Sequence, residues 1–129
     1  MAYNNPVPKV TKITENTWIV DIIETDCTDE EVEITGLPAQ GKIIRAVCVL
    51  EAGSAVHINP ILSTKTETEA GQIDIVFEYE TTDTDVEIVD EQGLEAVYYS
   101  KTGALYHRSR PDAGSNNDIT TRYFIERQP

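Results

Sequence analysis

Apolar and polar residues alternate along most of this chain with a period of two. Gln72 to Glu80 is the clearest case, setting Ile73, Ile75, Phe77 and Tyr79 against Gln72, Asp74, Glu78 and Glu80. Successive side chains of a strand point to opposite faces, so such a run puts one face in a core and the other in water. Thr17–Ile23 repeats the pattern, with Trp18, Val20 and Ile22 opposed to Ile19, Asp21 and Ile23. Shorter strands are predicted at Val32–Thr35, Ala55–Ile58, Val86–Val89, Leu94–Ser100, Ala104–Arg108 and Ile119–Glu126, with turn residues between them. About nine strands at this spacing predict an all-β fold, an antiparallel β-sandwich with the jelly roll as a candidate topology. No amphipathic helix is predicted, and the β-branched run Ile119, Thr120, Thr121 opposes one. Ile73, Ile75, Phe77, Tyr79, Val86, Ile88, Tyr123 and Ile125 hold the apolar phases and are expected to be buried.

Three segments depart from simple alternation. Lys42–Leu50 is apolar on both faces, so its second face is expected to meet another subunit or an overlying loop. Pro60 predicts an edge strand or a bend, because proline cannot donate to a ladder. The polar start, with Asn4, Asn5, Pro6 and Pro8, predicts an extended arm over residues 1–12 that a partner orders, before one domain at 13–129. The acidic stretch Glu24–Glu31 is expected to be a loop.

Charge changes the picture of partners. The 129 residues carry 23 acidic and 10 basic side chains, a net charge of -13. Such a surface repels phosphate, which argues against nucleic acid and anionic membranes as partners. Residues 101–129 are the exception, with Lys101, Arg108, Arg110, Arg122 and Arg127 against Asp112, Asp118 and Glu126. A basic end on an acidic protein can dock on a neighbouring copy and set its register. The start of the chain shows no signal-peptide pattern and no apolar stretch long enough to span a bilayer, so synthesis in the cytoplasm is expected.

The residue types of common active sites are sparse. Cys27 and Cys48 lack paired spacing, which argues against zinc, and Cys48 reads as a buried thiol. His57 and His107 fall in separate predicted strands, without the clustered histidines of a cupin metal site. No GxSxG elbow occurs. Neither a catalytic centre nor a cofactor is expected. Asp83 and Asp85, with Glu87 or Asp90, offer oxygen ligands for calcium, but the run departs from the calcium-loop pattern and reads better as a solvated turn. Tyr98, Tyr99, Tyr106, Tyr123 and Phe124 crowd the C-terminal third, and exposed rings there could stack on a glycan. In a strand Tyr98 and Tyr99 must face opposite ways.

The last quarter, GALYHRSRPDAGSNNDITTRYFIERQP, runs from a Leu-Tyr strand through a Pro-Asp-x-Gly-Ser-Asn turn into a Thr-Arg-Tyr-Phe strand. It resembles the terminal hairpin of small β-sandwich proteins of tailed-phage virions, capsid decoration (cement) proteins among them. The resemblance implies a non-enzymatic virion part, assembled in the host cytoplasm as a homo-oligomer, with a trimer favoured, on the major capsid protein or another virion protein. Its expected interface combines Asn4, Asn5, Pro6 and Pro8 with Arg45, Arg108 and Arg122. The alternative is a carbohydrate- or receptor-binding module.

Overall fold

Every regular element among the described residues of the computed structural model is a strand; those residues are 2–64, 75–89, 98–100, 104–112 and 116–128. In chain order they are β1 (Lys9–Thr14), β2 (Thr17–Glu24), β3 (Glu31–Ile34), β4 (Gln40–Ala52), β5 (Ile58–Ser63), β6 (Ile75–Glu78), β7 (Asp85–Val89), β8 (Tyr98–Ser100), β9 (Leu105–Pro111) and β10 (Asp118–Arg127). A six-stranded sheet has the order β1-β2-β10-β4-β7, with β8 also paired to β4. The second sheet has four strands in the order β3-β9-β5-β6. All pairings are antiparallel, and the two sheets pack into the predicted sandwich.

Alternation decides the core. β10 lies between β2 and β4, and its inward residues Ile119, Thr121, Tyr123 and Ile125 are all fully buried. Trp18, Val20 and Ile22 come inward from β2, as their phase requires, while Ile19, Asp21 and Ile23 face out. Phe77, Val86 and Ile88 are buried as expected, and Phe77 meets the Tyr123 ring edge-on at 6.3 Å. The expected burial of Ile73 and of the Ile75 side chain lies outside the described residues.

Several expectations are corrected. Tyr79 is 39% exposed, because β6 stops at Glu78 and the next backbone N–H turns to the Pro60 carbonyl. Pro60 occupies an inner strand, since β5 runs between β9 and β6 and begins at Ile58 instead of ending there. Its carbonyl accepts from Tyr79, so its ring nitrogen points to the same side, just past the end of β6. The lost donor therefore costs the ladder nothing. Residues 9–12 are not arm: β1 pairs with β2 from Lys9↔Asp21 to Thr14↔Thr17. The C-terminal run is not a hairpin either. β9 and β10 belong to different sheets and face each other across the core.

Gly53 stands in a turn after β4, with a φ of 133° in a region open to glycine. A Cβ there would overlap Asn117, whose Oδ1 accepts from the backbone of Ser54 and Ala55 at 3.1 Å each. Gly53→Ala is expected to lower unfolding stability by about 2 kcal/mol, measured by urea denaturation. An unchanged midpoint would show that the turn relaxes freely.

Candidate functional site

Among the described residues, chemistry-bearing side chains gather in a buried polar cluster in the core and on the outer face of the six-stranded sheet. The cluster arises because polar residues occupy apolar phases. Glu24 continues the inward series Trp18, Val20, Ile22, and His107 and Ser109 continue Leu105 on β9. Thr121 and Tyr123 answer them from β10 across the sandwich. Glu24, His107, Ser109, Thr121 and Tyr123 are all fully buried.

The donors converge on one carboxylate. Tyr3 Oη donates to Glu24 Oε2 at 2.6 Å and Ser109 Oγ donates to Oε1 at 2.7 Å. His107 Nε2 lies 3.1 Å from Oε1 and 2.7 Å from Ser109 Oγ, while Cys27 Sγ donates to Oε2 at 3.5 Å. Nε2 is surrounded by acceptors and so carries a proton, while Nδ1 lies 2.7 Å from the Tyr123 hydroxyl. Burial opposes the charge on Glu24, but the bond to His107 and its electrostatic attraction, with the bonds from Tyr3 and Ser109, outweigh it and hold the carboxyl below its ordinary value.

This geometry is unlike a hydrolytic triad. A triad sets the acid on one ring nitrogen and the nucleophile on the other. Here Glu24 and Ser109 share Nε2, and Nδ1 is taken by Tyr123. The thiols are not activated either: burial and the neighbouring Glu24 raise Cys27, and burial pushes Cys48 up to about 12. The cluster ties β2, β9, β10 and the N-terminal segment together.

That segment is ordered by its own domain. Asn4 Nδ2 donates to the Ile23 carbonyl at 2.8 Å, and its Oδ1 accepts from Thr25 N–H at 2.9 Å, imitating a strand partner at the end of β2. Asn5 then adopts a left-handed φ of 46°, one that asparagine tolerates. Asn4 is thus held within its own chain, whereas among the described residues no hydrogen bond of this kind ties Asn5, Pro6 or Pro8. Tyr3 and Asn4 supply the anchorage that composition hid.

The arginines expected at an interface are paired within the chain. Arg108 is buried and forms a fork with Asp29 at 3.0 and 2.7 Å, and Arg110 joins the same carboxylate at 3.3 Å. Arg122 forms a fork with Asp21 at 2.5 and 3.1 Å. Arg45 pairs with Glu87 at 2.6 Å and lies over the Phe124 ring at 5.0 Å. The proposed calcium ligands are not drawn together: Asp83 accepts from Thr84 N–H, Glu87 is held by Arg45, and Asp90 lies outside the described residues. Among the described residues no group of three or more metal-ligating side chains forms. Of the tyrosines, Tyr98 and Tyr99 do face opposite ways. Tyr99 is buried over Gly41 and donates to the Pro38 carbonyl at 3.0 Å. Tyr98 is exposed, with Lys42 Nζ 5.3 Å from its ring.

The outer face of the six-stranded sheet is ordered by register. One row reads Lys9, Asp21, Arg122, Val47, Glu87 from β1 to β7. A neighbouring row reads Thr11, Ile19, Phe124, Arg45, and the next reads Ile23, Thr120, Val49, Asp85. Two adjoining shallow depressions share Asp21, Thr120 and Arg122. One reaches Val47, Val49 and Phe124; the other reaches Pro6, Val7 and Ile23. Val7 is 91% exposed and Ile23 61%. The second apolar face expected of Lys42–Leu50 is therefore present in Val47 and Val49, half-buried beside Phe124.

The chain matches no known family model and no curated protein.

Proposed function

We propose that this protein is a non-enzymatic structural part that works by assembly, as a capsid decoration protein on the head of a tailed phage. The observation that carries the assembly reading is the outer face of the six-stranded sheet. Val7, Ile19, Ile23, Val47, Val49 and Phe124 lie there in one surface with ordered ion pairs. Contiguous apolar patches with polar surroundings mark protein interaction sites. The finer step, to a virion, rests on the residue cadence of 103–129 alone, because β9 and β10 do not form the hairpin that the resemblance implies. An acidic exterior suits it, because displayed copies that share a sign stay dispersed.

The test is co-sedimentation with expanded heads assembled from the major capsid protein of the same genome. Saturable binding at a fixed ratio to the capsid protein, with a raised temperature of head disruption, is the expected result. Free protein left in the supernatant at every concentration would overturn the decoration reading.

A further inference from the structure

We propose that the outer face of the six-stranded sheet is covered by a second copy of this chain, related by a two-fold axis that runs along the strands midway between β2 and β10. The strand registers carry this placement. With two sheets face to face about that axis, β2 of one copy lies over β10 of the other, and β1 lies over β4. Asp21 then faces the partner's Arg122, and Arg122 faces the partner's Asp21, because Arg122↔Asp21 is a ladder pair. One row away, Phe124↔Ile19 is also a ladder pair, so each copy's Ile19 lies on the partner's Phe124. At the edge, the exposed Val7 comes over the partner's Val49, and Lys9 comes over Val47 beside Glu87. The contacts next to the axis are thus charge on opposite charge and apolar on apolar, while further out Ile23 meets the partner's Thr120 and Thr11 meets its Arg45.

Other placements of the axis fail this test. Moved onto β10, it sets Arg122 against the partner's Arg122. Turned across the strands along this row, it sets Lys9 on the partner's Lys9 and Arg122 on its Arg122. Packed sheets keep their strands within about 30° of each other, so register holds best next to the axis, where the Asp21–Arg122 and Ile19–Phe124 pairs stand. Four overlapping strands about 4.8 Å apart, with eight residues of β2 at about 3.4 Å each, give a footprint of roughly 500 Å². Counted on both copies this is roughly 1,000 Å², the lower limit of a biological interface and the range of weak, concentration-dependent association. The interface is isologous and closes as a dimer, not as the trimer that the resemblance implies. It rests on the assembly reading only in holding that this face is covered by protein. Self-association is measured without capsids, so a failure of either idea is seen separately.

Charge reversal at the central pair supplies the test, read by sedimentation equilibrium at concentrations well above micromolar. The wild-type chain is expected to be a dimer. Asp21→Arg alone and Arg122→Glu alone place like charges at the axis, and each is expected to weaken the dimer by roughly 100-fold or more. Mixing these two monomeric variants restores opposite charges across the axis at both contacts, so a one-to-one heterodimer is expected. The double variant D21R/R122E is expected to dimerise on its own. Both side chains stand on the outer face of the sheet, Arg122 exposed and Asp21 partly so, and heterodimer formation itself shows both variants to be folded. A monomeric wild type, a dimer that survives both single reversals, or a mixture that stays monomeric overturns the proposal.

Discussion

Glu24→Gln is expected to lower unfolding stability by about 3–5 kcal/mol, as when one partner leaves a buried charged network. The carboxylate takes four donors, from Tyr3, Ser109, His107 and Cys27. A glutamine offers a single acceptor oxygen and turns an amide N–H₂ against donors, so buried groups lose their partners. Urea denaturation at neutral pH measures the loss. A second readout separates this account from simple packing damage. The folded-state Glu24 carboxyl is held below its ordinary 4.5. Its stabilisation is therefore complete above the unfolded value and disappears as pH falls through the folded one. The gap between wild type and variant should narrow as pH drops below about 4.5. A gap independent of pH would show that the charge on Glu24 contributes nothing.

Removing residues 2–8 should cost about 2–3 kcal/mol, mostly through the loss of the Tyr3 hydroxyl from the buried carboxylate. Burial and the bond to Glu24 raise the Tyr3 hydroxyl well above its ordinary value, so it stays a donor throughout the useful pH range. Tyr3→Phe isolates that bond and should account for the larger share, with the Asn4 contacts at the exposed end of β2 supplying the rest. The readout is the urea midpoint of the chain beginning at Lys9 against wild type. Equal midpoints would mean that the segment is a free tail after all.

How much could be read from the chain differs by feature. The period of two in Trp18, Val20, Ile22 and in Tyr123, Ile125 names the buried face directly, since strand geometry alone sets it. The same alternation held the clue to the core cluster. Glu24 stands in the apolar phase of β2, and His107 and Ser109 share the phase of Leu105. A charged residue in such a phase signals either the end of the strand or a buried, partnered group. Placing Glu24 at the head of an acidic loop chose the wrong branch. β1 was missed because KVTKIT alternates weakly, with Lys12 inward over the Trp18 ring at 5.7 Å. A lysine stem can occupy a core-side position while its ammonium reaches solvent.

The sequence by itself determined the class of fold, the strand phases and the absence of helix-forming periodicity, because these depend on side-chain spacing over a few residues. It also placed Asp21 and Arg122 on outward phases of their strands. Only the tertiary structure decided that β9 and β10 join different sheets, that Arg108 is held by Asp29, and that Tyr3 closes the Glu24 cluster. Those pairings span 79 and 21 residues of chain respectively. Alternation states which face a side chain takes. It carries nothing about which distant strand lies opposite, since that is settled by the packing of whole sheets, where one-residue registers fix every contact on both faces at once.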